Sequence, residues 1–254
     1  METILQIKNL EKIYGKNQAK TKALKNINIQ IAKGEFIGVM GASGSGKTTL
    51  LNCIATAIKP TSGEILLNNE DINKFKSNKL ASYRGKKIGY LFQNFELIDN
   101  LTGRENIMLP MAIHNINDTR YLGEVSKYLE VDHILDKFPY EMSGGEKQRI
   151  AATRALILNP EIVLADEPTG ALDTKNAKIL MDKLVGVNKD MNTTVLMVTH
   201  DMNAASYCSR ILFIQDGVVF HELRKKGDSE SQSQFYDRIV KVMAQLGGGS
   251  VNVL

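Results

Sequence analysis

The sequence predicts an α/β fold with a mostly parallel core sheet, an antiparallel β part ahead of it and a helical insertion. Three observations carry that expectation. Short, almost wholly apolar runs ("FIGVM" at 36–40, "IVLA" within 161–167, "TVLMV" within 193–200) each lead toward a helical pattern, as parallel strands buried on both faces do. The earlier run "NINIQI" at 26–31 alternates instead, with Ile27, Ile29 and Ile31 on one side, as a half-buried antiparallel strand does. Between Asn94 and Asn159 strand signals vanish and helical periodicity takes over, marking an insertion of about sixty residues.

Taken in order, "ILQI" at 4–7 opens as a strand, and the turn "AKGE" joins the alternating strand to the buried one at 36–40. The segment "GASGSGKT" at 41–48 then passes into a helix bearing Leu50, Leu51, Ile54 and Ile58, expected to stop at Pro60. "EILLNNE" reads as a strand and turn, and "KIGYLFQ" at 87–93 as a buried strand. In the insertion, "TGRE" from Thr102 is a capping box, and Pro110 is expected to end or kink the helix it begins. A second helix places Leu122, Val125 and Leu129 on one face, and a third runs from Ser143 to near Pro160. The core resumes with "EIVLADE" at 161–167, a helix from Thr174 to Lys189 capped by Asp173, the strand "TTVLMVTH" and a short helix through Ala205. A hairpin, "RILFIQDGVVFHE", turns on Asp216 and Gly217. After a polar stretch at 224–234, Phe235, Ile239, Val240, Met243 and Leu246 stripe a closing helix ended by "GGG". That stripe is short and preceded by mixed charge, so it reads as a packing face and not as a membrane anchor.

Composition sets outer limits. A chain of 254 residues, 43% hydrophobic, can bury one large core or a core with a smaller lobe. A formal charge of +4, from 32 basic against 28 acidic residues, does not mark a nucleic-acid binder, and no nucleic acid is expected as a partner. Cys53 and Cys208 sit in apolar surroundings without metal-type spacing and read as buried thiols of a reducing compartment. No leader pattern opens the sequence, and no apolar run approaches the roughly 20 residues a bilayer crossing needs. The expected place is the cytosol, unless a partner holds the chain at a membrane.

The chemistry concentrates at the strand ends. "GASGSGKT" (Gly41, Ala42, Ser43, Gly44, Ser45, Gly46, Lys47, Thr48), followed by Thr49, fits the phosphate-binding pattern G-x-x-x-x-G-K-[ST] between a strand and a helix. Its backbone N–H groups can wrap a β-phosphate, Lys47 can bridge β and γ oxygens, and Thr48 can set a hydroxyl on Mg²⁺. Asp166 at the end of "IVLAD" can hold Mg²⁺ through water, and Glu167 can orient or deprotonate a water at the γ-phosphate. Such a pair implies hydrolysis. His200 ends another strand on the edge where ligands of open sheets collect, so it can donate to the γ-phosphate or hold the attacking water. Gln93 ends a third strand and can sense Mg²⁺ or water. Tyr14 can stack on adenine, or be an ordinary half-buried aromatic. In "MSGGE", Ser143 and Glu146 form a capping box, while Gly144 and Gly145 let an anion approach the first-turn amides. This second anion site can close the open side of a triphosphate, from another subunit.

These residues together resemble the ATP-binding subunits of ABC transporters. "GASGSGKTT" looks like the Walker A loop, "IVLADE" the Walker B strand with its catalytic glutamate, Gln93 the Q-loop glutamine, "MSGGE" the signature, "ALD" ending at Asp173 the D-loop and His200 the switch histidine. The resemblance implies that Tyr14 stacks on adenine and that two copies form an ATP-sandwich dimer, Ser143 and Gly145 of one meeting the γ-phosphate held by Lys47 of the other. It implies a single ABC-type P-loop ATPase domain over 1–254, with a nucleotide-binding core at 1–93 and 160–222, a helical subdomain at 94–159 and a C-terminal segment and helix at 223–254. It further implies ATP and Mg²⁺ as ligands, an integral membrane permease as partner, and a peripheral place on the cytoplasmic face of the cell membrane. Within the family, "LIDNLTGRENIMLP" and "ADEPTGALD" look most like subunits of bacterial antimicrobial-peptide transporters of the bacitracin and lantibiotic resistance type, which are similar to the macrolide-export and lipoprotein-release ATPases. Glu146 departs from the family's usual glutamine. Either its charge weakens nucleotide-driven pairing or its carboxylate points away. A cell-division ATPase acting through a permease-like partner is an alternative; a chromosome or DNA-repair ATPase would carry long coiled-coil insertions or a basic stripe, and neither is visible.

Overall fold

The computed structural model describes residues 2–15 and 20–247. Strand β1 (Thr3–Tyr14) pairs antiparallel with β2 (Thr21–Ala32) on one side and with β4 (Ser62–Leu67) on the other; β5 (Glu70–Asp71) completes a sheet of order β2-β1-β4-β5. The register sets Ile7 opposite both Ile29 and Ile65, so one face is a continuous apolar layer. A second sheet has the order β10-β9-β3-β8-β7-β6, from β10 (Val218–Arg224), β9 (Arg210–Gln215), β3 (Phe36–Met40), β8 (Thr194–Val198), β7 (Ile162–Asp166) and β6 (Ile88–Leu91). All its neighbours run parallel except the β9–β10 hairpin.

Alternation within the central strands explains why they read as apolar throughout. Ile37 and Val39, Ile162 and Leu164, and Leu196 and Val198 face the core shared with the antiparallel sheet and helix α1 (Lys47–Ile54). Phe36 and Met40, Val163 and Ala165, and Val195 and Met197 face the opposite core. That second core is covered by α3 (Gly103–Ile113), α4 (Arg120–Tyr128), α5 (Gly144–Leu156), α6 (Thr174–Asp190), α7 (Met202–Ala205) and α8 (Gln232–Gly247).

Several elements differ from the sequence expectations. Helix α1 ends at Ile54, short of Pro60: Thr56 turns left-handed at φ 57° and the Ala57 and Ile58 N–H groups fold back onto the Asn52 carbonyl, while Ile58 still packs on the core. Pro110 does not end its helix. The capping box at Thr102 is present, and buried Ile107 and Met111 hold α3 together through Ile113 across the one bond the proline cannot make. Helix α2 (Ser77–Lys87) was not expected; none of its residues is fully buried, so it leaves no apolar stripe to read. In α8, Phe235 and Ile239 are buried, and Arg238 holds Glu230 at 2.8 and 2.9 Å; the Leu246 side chain and the glycines after Gly247 lie outside the described residues. Both cysteines are buried, and burial pushes the Cys53 thiol up to about 11.

The two sheets are pinned at the lower end of β3. Arg210, only 6% exposed, forks onto Glu35 at 2.6 and 2.9 Å, donates to the Gln30 carbonyl at 2.6 Å, and meets Glu222 at 3.3 Å. Glu35→Ala strips this buried guanidinium of its bidentate partner, so unfolding free energy falls by about 3 kcal/mol in urea titration. A loss under about 1 kcal/mol would show that Glu222 and Gln30 suffice to hold Arg210.

Candidate active site

The loop after β3 is shaped by glycines that cannot be replaced by larger residues. A Cβ on Gly41 would sit 2.1 Å from the Ile214 carbonyl oxygen, and one on Gly46, whose φ is +108°, would sit 2.5 Å from that of Ala23. Gly44 turns at φ +78° with open space beside it. The loop delivers Lys47 onto the first turn of α1, buried, with its ammonium donating to the Gly41 and Ala42 carbonyls at 2.8 and 2.9 Å. Thr48 and Thr49 follow on the same turn. No side chain caps this helix start, and the Ser45 hydroxyl is buried without a partner. Orphan amides, an orphan hydroxyl and a buried cation converge on one loop, the donor set that a polyoxygen anion satisfies.

Parallel register places the other groups alongside. Asp166 pairs with Val198, Leu91 with Ala165 and Val39 with Val198, so β3, β8, β7 and β6 end side by side. Glu167, left-handed at φ 46°, stays in place because its N–H donates to the Val198 carbonyl at 2.8 Å. His200 Nδ1 lies 2.9 Å from Glu167 Oε2, with the imidazole 66% exposed. Burial lowers the Lys47 pKa, opposed by Glu167 and Asp166. Burial and the neighbouring Glu167 raise that of Asp166, opposed by the Tyr90 hydroxyl and Lys47. The Tyr90 hydroxyl reaches Asp166 Oδ2 and Asn52 Oδ1, both at 3.4 Å, and burial beside Asp166 pushes its phenol up. Gln93 is exposed, its amide nitrogen 2.8 Å from where a Cβ on Gly170 would stand.

Among the described residues, no three His, Cys, Asp or Glu side chains gather as a metal cage. A single desolvated carboxylate at Asp166, with the Thr48 hydroxyl and Gln93, fits the sparse protein ligation of Mg²⁺, which keeps its waters and takes phosphate oxygens.

The remaining residues of the sequence reading make contacts of their own, none of them, among the described residues, a hydrogen bond to this cluster. Ser143 caps α5, and the Glu146 carboxylate accepts from the Ser143 N–H at 2.7 Å and its hydroxyl at 2.8 Å, bonds that lower its pKa. Of the two alternatives for Glu146, this geometry has the carboxylate turned back onto Ser143. Gly144 faces Phe95, Ala171 and Leu172; a Cβ on Gly145 would meet Asn176 Oδ1 at 2.2 Å. Asp173 caps α6 through the Asn176 N–H at 2.8 Å. Tyr14, 43% exposed with the Lys12 ammonium 5.0 Å above its ring, pairs with Thr21, two residues before the Ala23 that abuts Gly46. Tyr90, Asn176, Gln148 and Arg154 were absent from the sequence reading. Their partners lie far along the chain, and only the tyrosine within a strand expected to be buried gave any signal.

The class defined by this loop, carboxylate pair and sheet order is the P-loop ATPase, and the comparisons narrow it. The ABC transporter family model matches residues 24–170. The ABC transporter ATP-binding protein YxdL of Bacillus subtilis (strain 168) is 45% identical over 98% of this chain and 97% of its own. The bacitracin export ATP-binding protein BceA of Halalkalibacterium halodurans is 46% identical over 96% and 97%. A solved dimeric post-hydrolysis state of the ATP-binding cassette MJ0796 of Methanocaldococcus jannaschii, bound to ADP and Pi, superposes with a TM-score of 0.80 at 39% identity, over 88% of this chain and all of that one. The chain belongs to the ABC transporter family, as an ATP-binding and ATP-hydrolysing subunit coupled to a membrane permease. Among the described residues, no helix is long and apolar enough to cross a membrane.

The raised Asp166 carboxyl has a consequence for stability. A carboxyl whose folded pKa lies above its unfolded value stabilises the fold below the unfolded value and loses that contribution as pH rises through the folded one. Asp166→Asn therefore raises the Tm of the nucleotide-free protein at neutral pH, and the gain shrinks as pH falls toward 3.8, the ordinary value. Calorimetry from neutral pH to acid checks this; a gain constant with pH would sink it.

Proposed function

We propose that two copies pair head to tail and hydrolyse ATP at two shared sites, driving a permease that removes or exports an antimicrobial peptide. The observation that carries the chemistry is the Lys47, Asp166, Glu167 and His200 cluster at neighbouring strand ends. Lys47 and the amides of Gly41 to Thr49 hold the β- and γ-phosphates, and Tyr14 stacks on adenine. Mg²⁺, held by Thr48, Asp166 and Gln93, supplies charge neutralisation on the triphosphate when bound. Glu167, oriented by His200, accepts a proton from water as the water oxygen bonds to the γ-phosphorus; the bond from that phosphorus to the β–γ bridging oxygen breaks, leaving ADP and phosphate. Ser143, Gly144, Gly145, Glu146 and Asp173 of the other copy complete the far side. The dimeric state of MJ0796 with ADP and Pi supports a pair of copies as the working unit.

In this reading residues 1–93 and 160–222 form the nucleotide-binding core, 94–159 the lobe that carries the signature helix, and 223–254 an appended segment. The site is on the cytoplasmic face, held there by the permease. The antimicrobial-peptide assignment draws support from the 46% identity, over nearly the whole chain, to a relative whose name is bacitracin export. It predicts that a strain lacking this chain becomes sensitive to bacitracin-like or lantibiotic peptides, and that ATP turnover by the chain with its permease rises when such a peptide is added; unchanged survival and turnover would overturn it.

Two substitutions test the site itself. Glu167→Gln lowers turnover by a hundredfold or more, on the order of what one positioned acid–base group supplies, while ATP still drives dimer formation in analytical ultracentrifugation; turnover at the parent rate would refute the role of Glu167. In that background Glu146→Gln keeps the capping box but removes a negative charge, and tightens the ATP-dependent dimer by about two- to fivefold at low salt. The gain fades as salt rises. An unaltered dissociation constant across the salt range would mean the Glu146 charge does not reach the phosphate.

A further inference from the structure

The helix start that closes on the neighbouring triphosphate belongs to a helix whose next turn grips the strand ends of its own chain. Gln148 lies on α5 past Ser143 by about 7.5 Å along the axis, and it is fully buried. Its amide nitrogen donates to the Phe92 carbonyl at 3.0 Å and to the Pro168 carbonyl at 2.7 Å. A primary amide has two donors, so both are spent: one beside Gln93, the other beside Glu167. The reverse orientation would set the amide oxygen against two carbonyls, so the pattern fixes which way the group points.

The Gln148 Oε1 is buried without a partner. A helix that needed only volume here would carry leucine or methionine and avoid desolvating that acceptor. The amide is there for its two donors. Arg154, further along the same helix, donates to the carbonyls of Phe95 and Glu96, which hold left-handed backbone at φ 65° and 49°. The segment after β6 is thus attached to α5 at two points, and the turn after Glu167 at one.

We propose that Gln148 is a positioning residue that couples the two nucleotide sites of the pair. When one triphosphate draws in the Ser143 end of α5, Gln148 carries the displacement to the backbone beside Gln93 and Glu167, which serve the other triphosphate. This rests on the head-to-tail pairing proposed above, in which each chain gives its signature helix to one site and its loop to the other.

The test is ATP turnover against ATP concentration for the parent chain, Gln148→Met and Ile150→Val, the last a packing control on the same helix. Gln148→Met should lose the sigmoidal response, its Hill coefficient falling to about 1, with kcat reduced on the order of tenfold to a hundredfold and half-saturating ATP nearly unchanged. Ile150→Val should keep the parent's cooperativity. A parent curve that is already hyperbolic, or a Gln148→Met curve as sigmoidal as the parent's, overturns the proposal. If Gln148→Met does not fold, hydrogen exchange on the Glu167→Gln chain decides: ATP should protect residues 92–96 and 168–170 together with 143–148, and protection of 143–148 alone overturns it. Absence of any ATP-dependent dimer of Glu167→Gln refutes the pairing and takes this inference with it; a dimer with unchanged cooperativity refutes only the inference.

Discussion

The arrangement depends on one buried lysine that two carboxylates share. Lys47 has been drawn out of water, and Glu167 and Asp166 offset part of that cost, while Asp166 is itself desolvated and pressed by Glu167. None of the three is well solvated, and no tight ion pair among them settles the balance. Such a cluster persists only if the backbone holds it, and the parallel sheet does so. Residues that end adjacent parallel strands are brought level by register, and the Glu167 N–H continues the ladder onto Val198 even as its backbone turns left-handed.

The opposite end of the same sheet is treated in the reverse way. There Arg210 spends its guanidinium on Glu35, Gln30 and Glu222, closing a pair that ties the antiparallel sheet to the parallel one. A satisfied buried charge makes that end rigid; an under-satisfied one makes the other end ready to bind an anion. Stability is thus stored away from the chemistry. Helix α5 is fastened at the site end, where Gln148 and Arg154 hold carbonyls of the segments after β6 and after Glu167 that no secondary structure pairs.

Much of this was legible in the sequence, for identifiable reasons. The strands at 36–40, 162–166 and 194–198 have both faces buried, so every position is apolar and the run announces itself. The loop at 41–48 is legible because Gly41 and Gly46 meet backbone that leaves no room for a Cβ and Gly44 takes a left-handed turn. Helix α2 was hidden because Leu80 and Tyr83, both partly exposed, pack on the core among residues otherwise small or polar. The end of α1 was misplaced because a left-handed Thr56, and not the later proline, stops it. Gln148 and Tyr90 were hidden for a different reason. Their partners, Pro168 and Asp166, are distant in the chain, and nothing local distinguishes a buried glutamine that clamps two strands from one that faces water.

The helix start at Ser143 shows how the remaining polar groups set a threshold for closure. Glu146 already occupies the Ser143 N–H and hydroxyl, so in the proposed pairing a γ-phosphate competes with an internal anion for the same donors. A helix cap of this kind contributes about 1 kcal/mol, whereas a hydrogen bond to a charged group contributes about 1.5–3 kcal/mol. The Glu146 carboxylate is itself charged, so its hold on Ser143 falls in that same range, and closure of the proposed pair turns on a small difference between two anions. Glutamate strengthens the internal competitor relative to glutamine, since its carboxylate is ionised and its bonds to Ser143 are charge-assisted. In the proposed pairing, the closed pair then forms only while a full triphosphate is present, and hydrolysis returns the Ser143 donors to Glu146.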